Sequence, residues 1–332
     1  MTIAPIDVAT AGSRIIHEVE RAVVGKRQLL IKVVAAALAG GHVLLEDYPG
    51  LAKTLIAKSL AAALGLQFKR IQFTPDLLPS DITGSYIFDR SSGRFELRTG
   101  PIFANIILAD EINRASPKTQ SALLEAMQER QVTLEGETMP LPEPFIVIAT
   151  QNPIEYEGTF PLPEAQLDRF LMKLSIGYPT AEEEREILRR RRERGEDEVE
   201  IHSVTNAVEL LDLRRAIEAV YVDPDIERYI VDLVGATRRD KLVAVGASPR
   251  GSLALLKLAR VQAALDGRDY VLPDDVKAFA RPALIHRLIL DPGLWMKRNA
   301  AEEVIGAIVQ ATNVPVLGNA RPTPAVPRSA QG

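Results

Sequence analysis

A short segment between a strand pattern and a helix pattern has the residue types of a phosphate-binding loop. The apolar run from His42 to Glu46 leads into it, and a helical pattern ending near Leu64 follows it. In such a loop, backbone N–H groups and the positive end of the helix surround the phosphates, a lysine contacts the β- and γ-phosphates, and a hydroxyl binds Mg²⁺. The segment is Asp47-Tyr48-Pro49-Gly50-Leu51-Ala52-Lys53-Thr54.

The loop departs from the general pattern, which places glycine six positions before the lysine and again directly before it. This chain has Asp47 and Ala52 at those two positions and keeps only Gly50. Taken alone, the segment therefore fits a strand-turn-helix corner with a surface Lys53 as well as it fits a nucleotide site.

Two adjacent acids end a second apolar run, which extends from Ile106 to Ala109. A run of this kind is typical of a strand buried on both faces, and such a strand seldom ends in two carboxylates without a cation to bind. We expect Asp110 to bind Mg²⁺, usually through water, and Glu111 to orient and polarise the attacking water. The alternative is that the acids only stabilise the following turn electrostatically. The lysine and threonine upstream favour the metal site.

Two further polar residues follow structural boundaries that we expect at the same edge of the sheet. Asn152 comes after the apolar run 145–150 and could hydrogen-bond the attacking water or the γ-phosphate, although Asn-Pro also commonly starts a turn. Arg250 follows Ser248 and Pro249, which resemble an N-cap and the first helical position. A cation there is unfavourable by up to about 1 kcal/mol unless an anion is close. The anion is either a nucleotide phosphate or a carboxylate elsewhere in the fold.

The elements that must position these residues alternate between strand and helix patterns. Apolar runs predict strands at 42–46, 68–73, 105–110, 145–150 and 171–176, and Ser116 is the predicted N-cap of a helix over 117–130. This alternation predicts an α/β core, in which a parallel sheet has helices on both faces.

Other stretches interrupt or follow this alternation. The segments 85–100 and 131–142 each read as strand, turn, strand and predict hairpins inserted into the core. After Pro179 helical patterns dominate and predict a second, all-helical domain, in which the pattern over 273–290 breaks near Pro282. The segment 319–332 is rich in Pro, Ala and Ser and predicts a flexible tail.

Composition narrows the class of protein. The 332 residues carry a formal net charge of -4 and include no cysteine, which excludes disulfides and thiolate metal sites and suits a reducing compartment. No apolar stretch reaches bilayer-spanning length and the start of the chain lacks signal-peptide order, so we expect a soluble cytoplasmic protein. The four histidines are scattered without ligand spacing, and we predict no structural metal site.

Taken in order, these segments resemble the MoxR branch of the AAA+ ATPases. The likeness extends from Ile15 to Leu317, nearly the whole chain. The residues that carry it are Val23-Val24-Gly25, Lys53-Thr54, Asp110-Glu111-Ile112-Asn113-Arg114, Ala149-Thr150-Gln151-Asn152-Pro153, Leu167-Asp168-Arg169-Phe170 and Ser248-Pro249-Arg250.

The resemblance implies a fold and a set of roles. The fold is a P-loop AAA+ core over 1–179, with a five-stranded parallel sheet in the order 5-1-4-3-2, and a helical lid over 180–318 that closes over nucleotide bound between the domains. The two hairpins resemble the helix-2 insert and the pre-sensor-1 hairpin. The implied cofactors are ATP or ADP and Mg²⁺. The implied nucleotide contacts are Val24, Gly25 and the loop 47–54, with Thr54 and Asp110 at the metal, Asn152 as sensor 1 and Arg250 as sensor 2.

The resemblance also implies that Arg169 is an arginine finger, which enters the site of a neighbouring subunit. A planar guanidinium stabilises charge developing on a transferred phosphoryl group and can act in trans. This role requires a homo-oligomer, which the family leads us to expect as a ring, often of six subunits. The alternative is a surface ion pair of Arg169 with Asp168 or Glu164.

MoxR relatives are thought to act as chaperone-like remodellers, often with a separate protein that carries a von Willebrand factor A domain. We therefore expect an ATPase that remodels, matures or activates partner protein complexes. A DNA-acting AAA+ motor, the ATPase subunit of a metal chelatase and a slow nucleotide-dependent scaffold are the alternatives. The hairpin around Glu135-Gly136-Glu137 is acidic, and acids flank the basic run 189–192, which favours an ion-paired helical face over a nucleic-acid site.

Overall fold

The computed structural model describes residues 5–48, 50–91, 93–153, 158–294, 297 and 299–315. Within them the α-helices are α1 (Pro5–Glu20), α2 (Arg27–Leu38), α3 (Lys53–Ala63), α4 (Pro79–Thr83), α5 (Pro117–Glu129), α6 (Glu164–Leu167), α7 (Ala181–Arg194), α8 (Ala207–Glu218), α9 (Pro224–Thr237), α10 (Pro249–Leu265), α11 (Pro273–Leu284) and α12 (Ala300–Ala311). The strands are β1 (Val43–Glu46), β2 (Phe68–Gln72), β3 (Gly84–Asp89), β4 (Arg94–Thr99), β5 (Ile106–Asp110), β6 (Gln131–Leu134), β7 (Glu137–Pro140), β8 (Ile146–Gln151), β9 (Met172–Leu174), β10 (Val243–Val245) and β11 (Ile289–Leu290).

The five apolar runs form one parallel sheet, as predicted. Its strands lie in the order β2-β5-β8-β1-β9. Numbered among themselves along the chain, they read 5-1-4-3-2 from the β9 edge, which confirms the expected order. All four pairings are parallel. The carboxyl ends of β1, β5 and β8 therefore meet at one edge, with β8 between the other two.

Helices cover both faces of the sheet because successive side chains of each buried strand point to opposite sides. Leu45 packs in a core with α1, α2 and α3, whereas Leu44 packs on the other face with α5. The helices of the second domain join the first of these cores. At Gly12 of α1, an added Cβ would lie 2.3 Å from Leu265 of α10, so the first helix packs closely on the lid.

Both predicted hairpins are present, as the antiparallel pairs β3-β4 and β6-β7. Ser116 caps α5 as expected, since its hydroxyl accepts from the N–H of Thr119. The described part of the lid is mainly helical, and it also contains an antiparallel pair, in which Val243 of β10 lies opposite Leu290 of β11.

The helical pattern over 273–290 breaks close to Pro282, as predicted, although α11 continues through this proline and ends at Leu284, where a 3₁₀ turn over Ile285–Arg287 follows. Buried packing of α11 against α10 and β9 holds the helix together although proline removes one backbone hydrogen bond. No helix in the described part of the chain is long and apolar enough to cross a membrane. The predicted tail over 319–332 lies outside the described residues.

Candidate functional site

The phosphate loop connects the carboxyl end of β1 to the first turn of α3. Gly50 has φ 80° and Ala52 has φ 57°. Glycine adopts this left-handed conformation freely, whereas for alanine it costs about 1 kcal/mol. Ala52 thus retains the backbone shape of the glycine that the general pattern expects. The ammonium of Lys53 donates to the main-chain carbonyl of Asp47. Pro49 lies outside the described residues.

The two acids follow directly at the end of β5. The hydroxyl of Thr150, a fully buried residue of β8, donates to Asp110 Oδ1 at 2.6 Å and accepts from the N–H of Glu111 at 2.9 Å. Asp110 Oδ2 accepts from Arg70 Nη2 at 2.6 Å. Glu111 itself has φ 56°, which turns the chain out of the strand. The direction of the two carboxylates is thus set by the end of β5, by the hydroxyl of Thr150 and by the left-handed turn at Glu111.

The carboxylate of Glu111 is held from the β2 side. Its Oε2 accepts from Gln72 Nε2 at 2.8 Å and from Arg114 Nη1 at 3.1 Å. Gln72 in turn accepts from Arg70 Nη2 at 2.6 Å. A chain of hydrogen bonds thus joins Asp110, Arg70, Gln72 and Glu111, so the two carboxylates share one polar network at the edge of the sheet.

One cleft contains these groups, and we call it the phosphate-loop cleft. It has a volume of about 420 Å³, and the residues that line it are Gly50, Leu51, Ala52, Lys53, Thr54, Leu55, Arg70, Asp110, Glu111 and Asn152. Asn152 belongs there because β8 lies between β1 and β5. The predicted convergence of the loop, the acid pair and Asn152 at one edge is therefore confirmed.

The donor set of this cleft fits Mg²⁺ together with a nucleotide. Mg²⁺ takes hard oxygen ligands and is usually held by one or two carboxylates together with substrate phosphates. Thr54 and Asp110 supply a hydroxyl and a carboxylate in the cleft. No group of three or more His, Cys, Asp or Glu that could hold a metal occurs among the described residues, so phosphate oxygens and water would have to complete the coordination.

The side chain of Asp47 points away from this cleft. It is directed towards residues 175–177, where β9 leads into the lid. Next to it, the ring of Tyr48 stacks on Tyr178 with centroids 5.8 Å apart. The Val24-Gly25 turn lies near the same segment, since Lys26 Nζ donates to the Tyr178 carbonyl at 3.0 Å. We expected Asp47 among the nucleotide contacts, but it does not lie among the residues that line the phosphate-loop cleft.

A second cleft lies at the opposite edge of the sheet, and we call it the arginine cleft. Arg169 precedes β9, and β9 runs parallel to β1, so Arg169 lies at the amino ends of the strands whereas Lys53 lies at the carboxyl ends. Among the described residues that line this cleft, five are cationic and one is acidic. They are Arg130, Arg169, Arg250, Lys257 and Arg287, with Asp168.

The predicted position of Arg250 beside the phosphate loop of its own chain is wrong. Ser248 caps α10 as expected, but its hydroxyl also donates to Asp168 Oδ2 at 2.9 Å. Arg250 Nη1 lies 3.9 Å from the same oxygen. The anion near this helix start is thus a carboxylate of the sheet domain, the alternative that the sequence left open.

Asp168 is also bound by a buried arginine of the lid. Arg287 Nε donates to Asp168 Oδ1 at 2.8 Å, and Arg287 Nη2 donates to the carbonyl of Phe170 at 2.7 Å. Burial lowers the pKa of Arg287, partly offset by the Asp168 carboxylate. One carboxylate thus ties the segment of Arg169 to the helix start that carries Arg250.

Comparisons with known proteins agree with this architecture. Residues 42–172 match the family model described as ATPase family associated with various cellular activities (AAA), and residues 235–308 match the AAA lid domain. The chaperone MoxR1 of Mycobacterium tuberculosis is 45% identical over 91% of this chain and 82% of its own length. The chain belongs to the MoxR family of AAA+ ATPases.

The chain is also similar to two further proteins over most of its length. The uncharacterized protein YeaC of Bacillus subtilis is 50% identical over 92% of this chain and 95% of its own length. A crystal structure of an ATPase candidate from Cytophaga hutchinsonii superposes with a TM-score of 0.88 at 41% identity, over 94% of this chain and 97% of that one. Membership of the AAA+ family implies that the protein binds a nucleotide with a divalent metal.

Several polar residues of the two clefts were not predicted from the sequence. Thr150 lies in a segment that carries the family resemblance, but the sequence assigned it no role. Arg287 followed no recognisable pattern. Arg70 and Gln72 alternate in a predicted buried strand, where two polar residues on one face could have signalled a site at the sheet edge.

Proposed function

We propose that this AAA+ protein hydrolyses ATP with Mg²⁺ in the phosphate-loop cleft and uses the turnover to remodel partner protein complexes. The observation that carries the proposal is the meeting of Lys53, Thr54, Asp110, Glu111 and Asn152 in one cleft. Phosphoryl transfer to water requires an ammonium, a hydroxyl, two acids and an amide of this kind, which here lie at the start of α3 and at the ends of β5 and β8.

The chain's own residues take distinct roles in this proposal. Lys53 and the amides of the loop bind the phosphates, and Thr54 and Asp110 hold Mg²⁺, which supplies charge neutralisation when bound. Glu111 orients the attacking water and polarises it, and Asn152 hydrogen-bonds the water or the γ-phosphate. Thr150 positions both acids through its single hydroxyl.

Hydrolysis requires two subunits in this proposal. The arginine cleft concentrates positive charge at the edge opposite to the chain's own phosphate loop. Subunits that associate head to tail place this cleft against the phosphate-loop cleft of a neighbour, and repetition of that contact closes a ring. We propose a hexamer, in which Arg169 and Arg250 both contact the nucleotide of the adjacent subunit.

The proposed clients are protein complexes, reached together with a protein that carries a von Willebrand factor A domain. The name of the 45% identical relative, a chaperone, supports this class. The structure also weighs against a DNA motor, because Arg189 and Arg190 of α7 each contact Glu186 at 2.7 Å. Hydrogen bonds from these arginines lower the pKa of Glu186 to about 2, so this carboxylate stays charged and pairs with two arginines of the basic run.

Nucleotide binding and turnover of two variants test the proposal. Lys53→Ala removes the phosphate-binding ammonium and should abolish ATP binding. Glu111→Gln should bind ATP like the parent and lower turnover at least about 100-fold, because the amide cannot accept a proton from water. Lys58→Ala is the matched control, because Lys58 lies on the same helix as Lys53 but forms an exposed pair with Glu198, and this variant should retain both binding and turnover. Normal hydrolysis by the Lys53 or Glu111 variant would contradict the assigned roles.

Affinity capture with Glu111→Gln in ATP should recover a protein complex, whereas capture of DNA alone would contradict the client class.

A further inference from the structure

Asp47 replaces the first glycine of the general phosphate-loop pattern, yet it is only 4% exposed. Its carboxylate accepts four hydrogen bonds. Oδ2 accepts from the hydroxyl of Ser175 at 2.9 Å and from the N–H groups of Ile176 at 2.5 Å and Gly177 at 2.7 Å. Oδ1 accepts from the N–H of Tyr48 at 3.0 Å. A buried charge with this many donors is stabilised in one orientation.

The main chain of Asp47 is bound on both sides as well. Its N–H donates to the carbonyl of Gln151 at 3.2 Å, and its carbonyl accepts from the ammonium of Lys53. A change in the backbone conformation of Asp47 would therefore move the carbonyl that accepts from the phosphate-binding lysine.

The donors on the other side belong to the segment through which the chain leaves the sheet and enters the lid. Gly177 has φ 67°, so the turn presents two successive N–H groups to a single oxygen. Tyr178, the next residue, stacks on Tyr48 of the loop. The loop and the lid-entry segment 175–178 are thus joined by side-chain, main-chain and ring contacts, with Asp47 at the centre.

We propose that Asp47 is a positioning residue, whose buried carboxylate holds the phosphate loop and the lid-entry segment in one arrangement and thereby sets the affinity for nucleotide. The inference rests on the proposed ATP site. Loss of the carboxylate leaves the donors of residues 175–177 without their acceptor and removes the side-chain restraint on the backbone whose carbonyl accepts from Lys53. The effect falls on binding, since the acid pair and Asn152 are on other strands.

Titration with a fluorescent ATP analogue and steady-state hydrolysis test this role. Asp47→Ala should raise the Kd and the KM for ATP about tenfold or more, with kcat within about twofold of the parent. Ser175→Ala should raise them about threefold. The double variant should be no weaker than Asp47→Ala, because the Ser175 hydroxyl acts through that carboxylate. Asp47→Asn keeps one acceptor oxygen, so its Kd for ATP should lie between those of the parent and Asp47→Ala.

Asp275 supplies the matched control. It is as buried as Asp47 and accepts from Arg268 and the N–H of Leu272, but it lies within the lid. Asp275→Ala should lower the melting temperature and leave the Kd unchanged.

Parental affinity in Asp47→Ala, or an equal loss of affinity in Asp275→Ala, would overturn the inference. Additive losses in the double variant would also overturn it. Failure of the parent protein to bind ATP would instead refute the proposed site itself. If Asp47→Ala does not fold, Asp47→Asn and Ser175→Ala decide the question.

Discussion

His42 gives the protein a specific sensitivity to acid. Its ring lies next to the amino end of β1 and is buried. The N–H of Val147 donates to Nδ1 at 2.9 Å, so Nε2 carries the proton and donates to the Met127 carbonyl at 3.1 Å. Burial lowers the pKa of His42 to about 4. The neutral ring therefore links β1, β8 and the end of α5.

The size of the effect follows from this pKa. In the unfolded chain the pKa of histidine is about 6.5, so the unfolded state takes up the proton first as the pH falls. The stability that the neutral His42 ring contributes to the folded state is fully present above about pH 6.5 and is lost as the pH falls towards 4. Between pH 7.5 and 5.0, linkage predicts a loss of about 2 kcal/mol in the free energy of unfolding from His42 alone.

Urea unfolding of the parent and of His42→Asn at the two pH values measures this loss in the free energy of unfolding. Asparagine keeps an acceptor for the N–H of Val147 but cannot titrate, so the variant should lose about 2 kcal/mol less than the parent between pH 7.5 and 5.0. The exposed His17, replaced by asparagine, is the control and should reproduce the parental difference. The buried His286 is present in every protein compared, so its contribution cancels. An identical pH dependence in parent and His42→Asn would refute the reasoning.

The arginine cleft leads to two more expectations. Arg169→Ala and Lys53→Ala should each be inactive, but an equal mixture should recover about a quarter of parental turnover, because a random ring pairs an intact loop with an intact finger at that frequency. Arg250→Ala should complement Lys53→Ala in the same way, whereas no recovery would place Arg250 at its own subunit's nucleotide. Arg287→Met leaves Asp168 without its buried partner and should lower the free energy of unfolding by about 3–5 kcal/mol in urea titrations. The stability of Arg287→Lys should lie between those of the parent and Arg287→Met. Unchanged stability of Arg287→Met would show that the buried pair contributes nothing.

Much of the phosphate-loop cleft could be predicted from the chain because its residues lie at strand ends. Parallel strands bring their carboxyl ends to one edge, so Lys53, Asp110, Glu111 and Asn152 could be expected there. Their meeting in one cleft also requires that β8 lies between β1 and β5. The lateral order itself came from the family resemblance, since short apolar runs do not specify which neighbour they pair with. The polar residues of β2 were missed because the burial of its two faces depends on the elements packed around it.

Only the tertiary structure decided where Asp47 and Arg250 point. Asp47 occupies a position that the motif associates with phosphate, but donors more than 120 residues later in the chain attract its carboxylate. Arg250 starts a lid helix whose position depends on packing against α1 and on the Asp168 carboxylate. Local pattern specifies strands, helix starts and the residues at their ends, because these depend on neighbours in the chain. The direction of a charged side chain depends on which distant donors the folded chain brings within hydrogen-bonding distance, and no local pattern contains that information.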